Sequence, residues 1–230
     1  MTSLLRGISV PDLLALFAAI AIWQAFAVIS DHSRWTARGL SALINRQREV
    51  WMRRLVERDL LVSDSSLVGN IMHSISFLAS ASLILLGAVA AMLGNLDHTY
   101  DAVMAIPFVA TGPKEMFALK LVWLALLLIY SFLQFTWSLR QFNYCCIVLG
   151  TAPNAAAPDP DKTAFVARTS RIGALGARSF NQGLRGHYLV LASLGWFVHP
   201  IAFVGAVLAM VLVLWRREFH SHTRRALREG

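Results

Sequence analysis

The chain has 230 residues, 57% of them apolar and only 15% charged, with a mean hydropathy of +0.56. Soluble domains carry roughly 25% charged residues, and here the apolar residues gather into blocks of about 20 or more, the length that crosses roughly 30 Å of hydrocarbon; a soluble globular protein is excluded. The net charge of +8 would suggest nucleic acid in a soluble chain, but the basic residues flank apolar blocks and no aromatic-basic platform accompanies them. The partner they imply is a bilayer with anionic headgroups, not nucleic acid. The two cysteines, Cys145 and Cys146, are neighbours, which rules out an ordinary disulfide between them and a spaced metal motif.

A short head carrying Arg6 precedes the first apolar block, residues 11–30, which Pro11 and Asp12 open. Ala25-Phe26-Ala27 imitates a signal-peptide cleavage site, but the block is read as a retained first span. Residues 31–66 form a polar connector with seven arginines and five acids. Within it INRQREVWMRRLVERDLL has helical spacing, with Glu49 four residues before Arg53, and Trp51, Leu55 and Val56 are expected on the headgroup layer beside Arg54 and Arg58. The second span, 67–93, ends at Gly94-Asn95, and Gly69, His73, Ser76, Ser80 and Gly87 fall close to one of its faces. Asn70 joins His73 near its first turns.

After an interfacial connector, Lys114 and Glu115 open a third helix that runs to about Gly150. Its length is roughly 52 Å at 1.5 Å per residue, so only residues 116–139 are expected within the hydrocarbon. Ser131, Gln134, Ser138, Gln141 and Cys145 recur at intervals of 3 and 4, and Lys120 lies about three turns before Ser131 on the same face. A polar stripe on an apolar helix is turned toward protein or water. A proline-rich break at 151–161 leads to a basic amphipathic helix, 162–185, with Phe165, Ile172, Leu175 and Phe180 as its apolar contacts, and then to a fourth span at 188–214. Pro200 lies inside that span and leaves the Trp196 carbonyl without its helical donor, so a neighbour must supply one.

WMRRLVERD with DSSLVGN, then SFLASASLILLG, WSLRQFNY and SFNQGLRGHY, in that order, resemble the membrane family known as domain of unknown function number 599. The resemblance covers roughly residues 51–200. It implies a four-span helical protein of bacteria and plants with no assigned activity, so no catalytic residue is carried over. His187 stands where the family is expected to hold an aromatic residue before Tyr188.

The expected fold is therefore an all-α integral membrane protein, one membrane domain over 1–230, with four transmembrane helices and amphipathic cytoplasmic helices in the connectors 31–66 and 140–187. In a bacterium it belongs in the inner membrane. Every span is free of Asp and Glu, which disfavours proton pumping through buried carboxylates. Haem is considered and disfavoured: His187 and His199 are about 120° apart on a helix and the third span has no histidine. The candidate polar interior comprises Asn70, His73 and Ser76 of the second span, Lys120, Gln134, Ser138, Arg140, Gln141 and Asn143 of the third helix, and Asn181, Arg185 and His199. RQFNY and FNQGLRGHY are expected to form a polar knot between the third and fourth spans. If Lys120, Arg140 and Arg185 face it, the interior is positive and favours anions or lipid headgroups over cations. The expected module is a pore or carrier for a small polar or anionic solute, an oligomer because four spans give little room for a private pathway; the alternative is a scaffold subunit whose stripes serve packing and partner docking. Counting basic residues in the short connectors places both termini outside, with the five arginines of the tail as the misfit.

Overall fold

The computed structural model describes residues 9–32, 39–57, 62–107, 109, 111–154 and 156–229. The head with Arg6, and Arg58 of the first connector, lie outside them. The described residues fold into α1 (Val10–His32), α2 (Leu40–Val56), α3 (Val62–Gly94), α4 (Leu96–Met104), α5 (Lys114–Leu149), α6 (Asp159–Ser193), α7 (Gly195–Val198), α8 (Pro200–Phe219) and α9 (His222–Glu229), with no strand among them. Prolines set the starts. Pro113 and Pro158 precede α5 and α6, and Pro200 occupies the first turn of α8, where a missing N–H costs nothing. Acids in the first turns of α5 and α6, Glu115 and Asp159 with Asp161, meet the positive ends of the helix dipoles.

Four stretches are long and apolar enough to cross a membrane: 10–30, 63–94, 114–149 and 200–228. The all-α membrane architecture is thus the expected one, but the fourth apolar helix begins at Pro200 and not near Tyr188. Residues 188–193 belong to α6, which continues the amphipathic helix beyond Arg185.

α5 is the central helix, with α6 and α3 laid along it. Ser138 Oγ donates to the Gly176 carbonyl at 2.7 Å, and Trp123 Nε1 donates to Ser193 Oγ at 3.0 Å. Higher numbers on α6 meet lower numbers on α5, so the two are antiparallel to the far end of the bundle. Their approach is close because glycines on α6 face bulk on α5. A Cβ on Gly183 would lie 2.6 Å from the Phe135 ring, and one on Gly176 2.9 Å from the Phe142 ring. Such sites admit no larger residue without displacing a buried aromatic.

At the far end the chain reverses. His199 is extended (φ −165°, ψ 145°), its Nδ1 accepts from the Ile201 N–H, and Trp196 stacks on Phe203 at 5.0 Å and 10°. α8 then runs back along α1 and α6. Its last turn reaches the start of α2, where Glu218 Oε1 accepts from the Ser41 N–H at 3.0 Å, and α9 packs on α2. A Cβ on Gly39 would lie 2.5 Å from that Glu218 oxygen, which explains the glycine.

This corrects the expected placement of both termini on one side. The chain passes between the ends of the bundle five times, along α1, α3, α5, α6 and α8. The pass along α6 buries its glycines and serines on α5 and turns Leu191, Leu194 and Val198 outward. The tail consequently lies at the same end as α2. Among the described residues that end gathers Arg46, Arg48, Arg53 and Arg54 of the first connector, the six basic residues of 140–185 and the five arginines of the tail, so the tail is no longer a misfit beside them.

α2 is also placed differently from expectation. Leu55 and Val56, with Met52, are buried in a core with Val68, Phe142 and Phe165, because α2 lies on α6 and not on headgroups. Trp51 Nε1 donates to Asp64 Oδ1 at 2.6 Å. Fusing a reporter that works only in the cytoplasm after Gly230, and separately inserting it in the 31–66 connector, should give the same signal at both places. Opposite signals would show that α6 does not cross with α5.

Candidate functional site

The polar stripe of α5 divides by depth. At the far end Lys120 is buried, and its Nζ donates to the Trp196 carbonyl at 2.9 Å, the group that Pro200 leaves without a helical donor. Asp12 Oδ1 lies 3.5 Å from the same ammonium and accepts from Trp196 Nε1 at 2.6 Å. The ammonium also lies 5.6 Å from the Trp196 ring centroid and 5.8 Å from that of Phe197. One lysine therefore ties α1, α5 and the α6–α8 reversal together. At mid-depth Ser131 and Ser138 are fully buried against Gly186 and Gly176, Gln141 is buried and Gln134 half-buried. The stripe faces protein as expected, but it is packed shut there.

Other candidates are not brought inside. Asn70, His73 and Ser76 are exposed on the outer face of α3. The inward face is the row Val68, Ile75, Ala79, Ser82 and Val89, mostly apolar, with the Ser82 hydroxyl donating to the Leu78 carbonyl. Ser82 Oγ lies 3.4 Å from Nε2 of His187, which in turn packs on Phe135 at 5.4 Å. Arg140 and Asn143 are exposed; Arg140 Nε donates to the Tyr144 hydroxyl at 2.6 Å and its guanidinium lies over the rings of Trp137 and Tyr144. Hence RQFNY and FNQGLRGHY form no polar knot; glycine and phenylalanine join those helices instead. His199 is exposed at the far reversal, whereas His73 lies on α3 toward the basic end, so the two cannot ligate one group.

Asn181 and Arg185 do come together, in a cavity of about 520 Å³ at the basic end. Arg48 of α2 and Arg171, Arg178 and Arg185 of α6 line it, with Ser30 from the end of α1 and Glu218 from the end of α8. Arg185 Nη2 donates to Ser30 Oγ at 2.9 Å, and its guanidinium stacks 5.2 Å from the Phe26 ring. Arg48 lies across Gly173, where a Cβ would be 2.8 Å from its Cδ, and burial pushes its guanidinium below its ordinary pKa. None of Arg48, Arg171 and Arg178 makes a salt bridge to a described carboxylate. Glu218 caps α2 through Ser41. Among the described residues the lining is cationic, and its acid, Glu218, accepts from the Ser41 N–H. An arginine fork suits the oxygens of a carboxylate or phosphate.

The chain belongs to the protein family of unknown function DUF599. The family model matches residues 14–223, which takes in α2 and all five passes. No curated protein and no solved structure matches the chain.

The identification leaves the site to be read from its own residues, and sequence reasoning had missed Arg48, Arg171, Arg178, Ser30, Glu218 and Asp12. A signal for part of it exists: Arg171, Arg178 and Arg185 are seven apart, two turns each, so they line one face of α6. The Asp12–Lys120 contact joins residues 108 apart in sequence and has no local signature. Lys120→Ala should lower stability by about 3 kcal/mol, since it leaves the Trp196 carbonyl unpartnered and the Asp12 carboxylate with Trp196 Nε1 but no counter-charge. Asp12→Asn should cost less, and the double variant less than the sum of the two, measured by denaturation in detergent. Strictly additive losses would show that the two side chains do not act together.

Proposed function

We propose that this membrane module binds a small anionic solute in the arginine-lined cavity at its basic end and handles it there as one subunit of an oligomer, as a carrier or pore. The observation that carries the reading is the set of Arg48, Arg171 and Arg178 around a cavity of about 520 Å³, with Glu218 held by Ser41. The volume is within the range of roughly 300–1,000 Å³ typical of sites for small organic ligands. The ligand class is an organic phosphate or carboxylate. Charged groups so placed draw anions in from solution or from the leaflet.

Self-association is supported by the outer face of α3. Asn70, His73 and Ser76 are exposed on a helix that enters hydrocarbon, where unpartnered polar groups are costly, and each can both donate and accept toward a second copy. A scaffold role is the second reading, favoured by Ser131 and Ser138 being consumed in packing on α6. Proteoliposome flux of a bound anion separates the two.

Titrating the purified protein with glycerol 3-phosphate, and repeating it with Arg171→Gln/Arg178→Gln, tests the site. Each charge-assisted contact is worth about 1.5–3 kcal/mol, so the double variant should bind at least about 100-fold more weakly. Unchanged affinity would remove the cavity as the binding site.

A further inference from the structure

Arg48 walls more than the basic cavity. A second cavity of about 340 Å³ shares Ile44 and Arg48 with it and is walled by Trp51, Met52, Val68 and Phe142. A third, of about 480 Å³, shares Trp51 and Ile71 with the second and opens along α3 beside Leu67. Leu67 and Ile71 are 52% and 39% exposed, on a helix apolar enough to span a membrane. The polarity changes along this line. One end is lined by four arginines, the middle mainly by Trp51, Met52, Val68 and Phe142 with Gln47 and Thr169 at its edge, and the other end by Trp51, Leu67 and Ile71 with Asn70 and Ser74 on the open side of α3. The stem of Arg48 lies at the junction, with apolar methylenes toward one side and its charge toward the other.

The depth fits as well. The cavity is framed by Ser30, the last residue of the first apolar stretch, and by Glu218, which follows Trp215, Arg216 and Arg217 at the end of α8. Tryptophan and arginine at the end of a span mark the headgroup layer. A water-soluble anion would use only the arginine end and leave the apolar middle empty.

We infer that the anion is the head of an amphiphile: a phosphate-bearing lipid of the leaflet at the basic end, its phosphate among Arg48, Arg171 and Arg178 and its chain running past Trp51 and Ile71 onto α3. This rests on the reading of the cavity as an anion site and adds the chemical class of the ligand. The arginines recognise the phosphate, and the apolar groove distinguishes a lipid from a free phosphate ester.

The experiment compares dihexanoyl phosphatidic acid, glycerol 3-phosphate and dihexanoylglycerol, titrated into the full chain in a non-ionic detergent below the micelle concentration of each probe. Phosphatidic acid should bind at least about tenfold more tightly than glycerol 3-phosphate, because its chains leave water, and dihexanoylglycerol should bind more weakly than either. Ile71→Trp, which fills the groove at a partly exposed position, should abolish the tenfold preference and leave glycerol 3-phosphate unaffected; Leu67→Trp is the second variant should Ile71→Trp fail to fold. Arg171→Gln/Arg178→Gln should weaken both phosphate probes. Equal binding of the two phosphate probes, indifferent to both groove variants, would overturn the lipid assignment and leave the anion site standing. Phosphate probes that bind the arginine variant as well as the original chain would overturn both.

Discussion

A buried carbonyl needs a donor, and this fold turns on how one such group is served. Pro200 cannot donate to Trp196, and Lys120 does so from the neighbouring helix while Asp12 balances its charge. A lysine buried among apolar helices would be costly alone. Here its ammonium has a carbonyl, a carboxylate and two aromatic faces, so the cost is offset by contacts that also join three helices, α1, α5 and α7. Because the reversal at His199 is held in this way, α8 returns to the basic end. Its Glu218 can then cap α2, and α2 is set against α6 with Arg48 across Gly173. The cavity at one end of the bundle thus depends on an interaction at the other.

The sequence was most legible where a single physical constraint acts. Block length marked the four apolar helices, and the 3, 4 spacing on α5 marked Lys120, Ser131, Ser138 and Gln141 as facing protein. Even the need of the Trp196 carbonyl for a donor followed from Pro200 alone. The donor's identity did not, because Lys120 is far off in sequence. Reading was poorest where two constraints compete. Small polar residues on α3 could line either a helix contact or an outer face, and Val68, Ile75 and Val89 took the inner one. Asn181, Arg185, Gly176 and Gly183 made the second half of α6 resemble a solvated connector. It runs antiparallel to α5 with Gly176, Gly183 and Gly186 buried there and Leu191 turned outward, while Arg178 and Asn181 stay exposed toward its basic end.

The charge arrangement at the basic end follows from that crossing. Arginines at intervals of seven on α6 repel one another, and α2 adds a fourth from the opposite wall. Such a cluster destabilises the isolated protein unless counter-charge is present. Glu218 supplies one charge, already directed at the α2 amino terminus. An anion in the cavity would relieve the remainder and stabilise the fold by mass action, by about 2.7 kcal/mol at a hundred times its dissociation constant.

Arg48 shows how the two halves of the site are coupled. Its position is set by Gly173, since any side chain there would push it away, and by α2, whose orientation depends on Met52 and Leu55 in the core below and Glu218 above. The basic cavity and the apolar groove share this residue as a wall. Movement of α2 would open or close both together. A ligand that filled only one half would leave α2 held from one side, whereas a ligand with a charged head and an apolar chain would fix it from both. The cost of ordering α2 is then met in a single binding event, which favours an amphiphile over two separate ligands.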